Sequence, residues 1–250
     1  MKHSGLWRSA FGILAALSML SGCGGSQAQT TPSGIVQQNA ATAARATQSQ
    51  RQQVRYRVII TGTLGGFAGN LFGVNQAGLV TGNSWLPGNG NFHTTLWRGK
   101  RLIDLGTLGG QDSESTEVND LNVVAGYAET STADPLVEDF CGDGTNLICS
   151  ATLWRDGKIF ALPTFGGNNG EAQSINDRDQ TVGAAETTVH DPTCRPPQVL
   201  QYEAAVWTGT HRPQQLPTYP GDPDSSAWAI NESGVIVGQS GAAPPPIRGS

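Results

Sequence analysis

Beyond about residue 55, large apolar residues alternate with small or polar ones in short runs, separated by turns rich in Gly, Asn and Asp. A period of two with frequent turn residues predicts short antiparallel strands rather than helices. The pattern also repeats. "ITGTLGGFAG" from Ile60, "DLGTLGGQDS" from Asp104, "ALPTFGGNNG" from Ala161 and "QLPTYPGDPD" from Gln215 are near copies, whose second glycine falls at Gly66, Gly110, Gly167 and Gly221, at periods of 44, 57 and 54. An Asn follows 9, 9, 9 and 10 residues later, at Asn75, Asn119, Asn176 and Asn231, and a glycine stands seven residues beyond each, at Gly82, Gly126, Gly183 and Gly238. Trp97, Trp154 and Trp207 close the first three units, and lie 22, 22 and 24 residues before the next Asn. Most length variation therefore falls between that glycine and the tryptophan, in spans of 15, 28 and 24 residues, which mark a surface loop on a constant framework.

Four strands per unit follow, of the types "KRLIDLG", "TEVN", "VVAG" and "ATLW". Between the second and third, "NQAG" and "NESG" carry Asn first and Gly fourth, as in a type I turn with a left-handed exit. Asn122 and Asp179 replace that Gly in the other copies, and both residue types tolerate positive φ. The asparagines are thus expected to form turns. Four antiparallel strands repeated at about 50 residues predict an all-β, β-propeller-like array of about four blades, with the tryptophans packing between blades. Each blade is expected to combine the second, third and fourth strands of one unit with the first of the next. "RYRVIIT" is then left over to complete the last blade, which otherwise lacks strands because "GAAPPPIRGS" follows "VIVGQS". The readings are an incomplete closing blade or a truncated array.

The motifs "INESGVIVG", "TLW" with "RDGK", and "LGTLGG" resemble the HAF repeat, described for extracellular bacterial proteins, over residues 56 to about 240. The resemblance implies fold and cellular address, and no defined activity. The double glycine is also similar to that of kelch blades. At the N-terminus, Lys2 and Arg8 flank the start of an apolar run from Leu6 to Leu20, which has the character of a secretory signal rather than a membrane span. Leu20, Ser21, Gly22 and Cys23 resemble the bacterial lipobox, which implies lipidation at Cys23, a membrane partner through the acyl chains, and, with Gly24 following, an outer-membrane address. The expected organisation is a signal peptide over 1–22, a Gln/Ala/Ser/Thr-rich tether over 23–54, the repeat domain over 55–240 and a disordered tail over 241–250.

Composition narrows the function. The 33 Gly, 14 Pro and 14% charged residues suit a turn-rich β protein, and a net charge of −5 provides no footprint for nucleic acid. In an exported protein Cys141 and Cys149, eight apart in one loop, are expected to pair in preference to a bridge with Cys194. Asp134, Glu138, Asp139 and Asp143 of that loop offer oxygen ligands of the kind calcium takes, yet their spacing is not that of an EF-hand, so the expectation is a solvated acidic loop with no metal and no cofactor. His93, His190 and His211 lie in different units without a nucleophile motif. No carboxylate pair is expected to recur at framework positions. The double glycine invites a phosphate-cradle reading, but Pro220 removes a donor in the fourth copy. Pro–Gly suits the centre of a type II turn, which predicts positive φ at the second glycine. The functional expectation is a non-catalytic, membrane-anchored scaffold that binds a glycan, peptide or protein through loops on one face. The alternatives are a carbohydrate-active hydrolase or lyase and a truncated product without activity.

Overall fold

The computed structural model describes residues 56–241, which contain strands and no helix. The expected signal peptide, Cys23, the tether and nearly all of the tail lie outside the described residues. Three four-stranded antiparallel sheets follow one another along the chain. Sheet 1 comprises β1 (Gly69–Val74), β2 (Val80–Trp85), β3 (Phe92–Arg98) and β4 (Arg101–Asp104). Sheet 2 comprises β5 (Gly109–Val118), β6 (Val124–Ala133), β7 (Leu147–Arg155) and β8 (Lys158–Ala161). Sheet 3 comprises β9 (Gly170–Ile175), β10 (Gln180–His190), β11 (Leu200–Thr208) and β12 (Gln214–Gln215). Sheet 4 has two strands, β13 (Asp224–Ile230) and β14 (Ile236–Gly241). Each four-stranded sheet is a meander that ends on the first strand of the following unit, as the repeat arithmetic requires. Residues 58–61 of "RYRVIIT" do not complete sheet 4: they have no strand pairing, and Val58 and Ile60 stand in solvent. None of the sheets is closed.

The conserved turn between the first and second strands of each sheet works as the sequence implies. Gly78, Asn122, Asp179 and Gly234 all have positive φ, between 60° and 83°. The asparagine side chain braces the turn from inside, as Asn75, Asn119, Asn176 and Asn231 accept the main-chain N–H of Leu79, Val123, Gln180 and Val235 through Oδ1. The other end of the same amide reaches the next unit. Asn75 Nδ2 donates to the Asn119 carbonyl, Asn119 Nδ2 to Asn176 and Asn176 Nδ2 to Asn231, at 3.0–3.1 Å. A parallel series runs beside it, from Gln76 N to Asp120, Asp120 N to Asp177, and Asp177 N to Glu232. The turn asparagine is therefore also the rung of a ladder that registers one sheet on the next.

The glycine seven residues on has a separate cause. An added Cβ at Gly82, Gly126, Gly183 or Gly238 would lie 1.8–2.1 Å from the carbonyl oxygen of Asn70, Glu114, Glu171 or Ser226. In each sheet the first strand carries one extra residue at this level, Phe72, Thr116, Gln173 or Trp228, so that a β-bulge pushes its backbone onto the facing strand. Only glycine leaves room.

Apolar side chains fill the junctions. Val123, Ala125, Ala151 and Leu153 of sheet 2 and its β6 turn pack on Ala172, Ile175, Ala205 and Trp207 of sheet 3. Val182 and Ala204 meet Ala227 and Ile230 of sheet 4. Trp154 and Trp207 are buried there, and Trp207 Nε1 donates to the Pro163 carbonyl at 2.8 Å. The small residues at the centre of these contacts let the sheets approach closely, and the tryptophans add large buried side chains beside them.

Candidate functional site

The double-glycine turns, the long loops and most buried carboxylates gather at one end of the sheets. The turn itself differs from the type II geometry expected. In the first three copies positive φ falls on the first glycine, Gly65, Gly109 and Gly166 (φ 106–113°), and only the fourth copy, with Pro220 in that place, shifts it to Gly221 (φ 95°). Gly66, Gly110 and Gly167 are needed for space instead: an added Cβ would meet a backbone oxygen of Trp85, Thr130 or Thr187 at 2.5–2.6 Å. The preceding threonine ties the loop, as Thr63, Thr107 and Thr164 accept from the first glycine and donate to the carbonyl of the second.

The N–H groups after two of these turns do converge on an anion, but it is the protein's own. Glu129 Oε2 accepts Gln111 N and Asp112 N at 3.1 and 3.0 Å, and Glu186 Oε2 accepts Asn168 N and Asn169 N at 3.0 and 2.8 Å. Both glutamates are buried and hold the same framework place, three residues after Gly126 and Gly183. A single buried glutamate, rather than a carboxylate pair, thus recurs at one framework place in two units. The pattern was visible in the sequence, as Glu at that offset in two units, with Trp85 in the first.

Loop A, residues 134–146 between β6 and β7, and loop B, residues 191–199 between β10 and β11, begin alike. Asp134 and Asp191 are buried, accept the N–H two residues on at 2.7 Å, and donate their own N–H across the loop neck to Asn146 and Val199. Cys141 and Cys149 form a disulfide across loop A, with Cα atoms 6.2 Å apart, while Cys194 of loop B is free. Burial, and the nearby Asp224 and Asp191 charges, push the Cys194 thiol up to about 12. The loops join through Glu138, whose Oε1 accepts Val199 N and Leu200 N at 2.7 Å and Gln198 Nε2 at 3.2 Å. Gln198 Nε2 also reaches Glu186 at 2.8 Å, and Asn169 Nδ2 bridges Asp134 and Glu186.

The four acids considered together as calcium ligands do not form one site. Asp134 and Glu138 are committed to these networks, and Asp139 accepts Gly144 N. Asp143 turns towards Asp112 and Glu129, with ligand oxygens of all three within 4.8 Å of one another. Asp191, Cys194 and Asp224 form the second such group among the described residues. Burial raises Asp143 to about 8, helped by the Glu129 and Asp112 charges, and raises Asp112 to about 6. Glu186 rises to about 7, with desolvation the main cause against the hydrogen bonds from Gln198 and Asn169. On sheet 2, Glu114 also rises to about 7 through burial and the charge of Glu171. Several of these carboxyls are therefore proton holders near neutrality. His93 pairs with Asp104 at 3.0 Å, and neither contributes to the three-carboxylate group.

Fold and site together define an all-β repeat protein of successive antiparallel sheets, whose loops meet in a surface built over buried carboxylates. The chain matches no known family model, and neither a curated protein nor a solved structure matches it.

Proposed function

We propose that this protein is a non-catalytic, extracytoplasmic binding scaffold, a propeller-like array of HAF-type units anchored to the bacterial envelope through a lipid on Cys23 and facing a glycan, peptide or protein with its loop end. The observation that carries this reading is the fusion of loops A and B by Glu138 into one surface that spans two sheets. Variable loops on a rigid framework suit recognition, and the carboxylates nearest the turns are consumed as acceptors of main-chain N–H groups, which is structural work. Palmitate labelling that disappears in Cys23→Ala tests the anchor. For the ligand, a glycan array run beside activity screens on pooled polysaccharides expects a retained ligand without cleavage; release of oligosaccharide would sink the scaffold reading.

The enzyme reading has one observation in its favour. Asp143, holding a proton up to about 8, stands beside Asp112 and Glu129, an acid next to potential bases. Turnover of a polysaccharide that is lost in Asp143→Asn with the fold retained would establish a hydrolase or lyase in its place.

A further inference from the structure

Three framework positions are buried wherever one sheet meets the next, a fourth is buried at the first two junctions and is the half-buried Gln180 at the third, and all four are exposed at the ends of the described array. On the face that each sheet turns towards its successor, Leu79, Val123, Thr81, Ala125 and Val182 are buried, whereas their counterparts in sheet 4, Val235 and Val237, are 60% and 59% exposed. On the opposite face, Ala172, Ala227, Ile175 and Ile230 are buried, whereas the counterparts in sheet 1, Leu71 and Val74, are 48% and 69% exposed. The polar ladder ends in the same places. Asn231 is exposed, and among the described residues its Nδ2 has no hydrogen bond, although the same atom of Asn75, Asn119 and Asn176 donates to the next unit. At the other end, among the described residues, the Asn75 carbonyl accepts only Gly78 N, whereas the Asn119 carbonyl accepts both Asn122 N and the incoming Asn75 amide.

From this complementarity, we propose that a second copy of this chain docks head to tail, the free face of sheet 4 on the free face of sheet 1, and continues the sheet-to-sheet junction between molecules. The occupant is a copy because the two ends display the two halves of a junction that the chain already makes three times within itself. Asn231 Nδ2 donates to the Asn75 carbonyl of the neighbour, Gln76 takes the acceptor place held elsewhere by Asp120, Asp177 and Glu232, and Val235 and Val237 cover Leu71 and Val74. Such a contact is heterologous, so it yields a ring if the rotation closes and a longer assembly if it does not.

The test is sedimentation velocity of the purified full chain over a dilution series, with Leu71→Asp at one end and Val237→Asp at the other. Both sites are exposed in a single copy, so circular dichroism should show an unchanged fold; Val74→Lys and Val235→Lys serve as the second pair if it does not. The wild type is expected to sediment at twice the monomer mass or more, and each variant alone as a monomer. A one-to-one mixture of the two variants should recover a dimer, because one copy retains an intact sheet 4 face and the other an intact sheet 1 face. A wild-type monomer throughout, the result if another stretch of the same chain or a different protein covers these faces, would overturn the proposal. So would association that survives both substitutions, or a mixture that stays monomeric.

Discussion

Loops A and B start from the same device, a buried Asp–Pro whose carboxylate folds the chain back on itself, and they are held in different ways. Loop A carries its own covalent staple between Cys141 and Cys149, and turns on Asp139. Loop B has a free thiol and takes its shape from a neighbour: the N–H groups of Val199 and Leu200 are satisfied by Glu138 of loop A. One loop is therefore covalently stapled and the other templated. A repeat can vary its loops freely in sequence while one of them supplies the order for the next.

The comparison breaks most completely at Glu138. Glu138→Ala should cost about 3 kcal/mol, since it removes charge-assisted acceptors from two main-chain donors at once, and hydrogen exchange should rise in residues 191–200 while the disulfide keeps loop A protected. Equal deprotection of both loops would show that loop B is not the dependent partner. Next in size, Cys141→Ser with Cys149→Ser should lower stability by about 2.5 kcal/mol, the chain-entropy value for so short a loop, and exchange should then rise in both loops, read by the same method.

Acidity sharpens the contrast further. Asp143, Glu186 and Asp112 have folded-state pKa values above the ordinary carboxyl range, at about 8, 7 and 6. The folded protein then holds protons that the unfolded chain releases, so this contribution is full below about pH 4 and is lost as pH rises towards 8. Each proton retained contributes a slope of up to about 1.4 kcal/mol per pH unit. Urea melts at about pH 5 and about pH 8 should show the protein more stable at the lower value, and Asp143→Asn should reduce that difference. Asp191 runs the other way: burial opposes its ionisation, but hydrogen bonds from Thr193, with Asp224 and Cys194 beside it, leave its pKa lowered. The smallest effect is expected at Asp224, which stands where Asn169 does in the preceding unit. Asp224→Asn keeps the acceptor for Tyr202 N and replaces the hydrogen bond that Asp224 already shares with Asp191 by an amide donor that needs no proton held between two carboxyls, so a gain of about 1 kcal/mol should appear in the same melts at about pH 8.

Much of the framework was legible because backbone stereochemistry writes directly into residue type. Asn122 and Asp179 in place of glycine announced the positive φ that they have, and the even spacing around Trp97, Trp154 and Trp207 gave the strand order. The double glycine was harder. A required glycine can mean an unusual φ or a lack of room, and sequence does not separate the two: Pro220 pointed to the second position for φ, which holds only in its own copy. "RYRVIIT" has the composition of a strand, yet composition cannot supply a partner. At the loop end, Glu129 and Glu186 repeated at one offset and could have been noticed. The meeting of Asp143 with Asp112 and Glu129 could not, because it depends on how a long loop folds back over a turn from its own unit.

The asparagine ladder has a consequence for how such chains change in length. Each rung links a unit only to its immediate neighbour, so cohesion accumulates in nearly equal increments, junction by junction. Duplicating one unit inserts a further junction and leaves every other untouched, and deleting one subtracts the same increment. On this ladder the gain or loss of a whole unit changes cohesion by one junction, so the minimum length of an array follows from the number of junctions it makes.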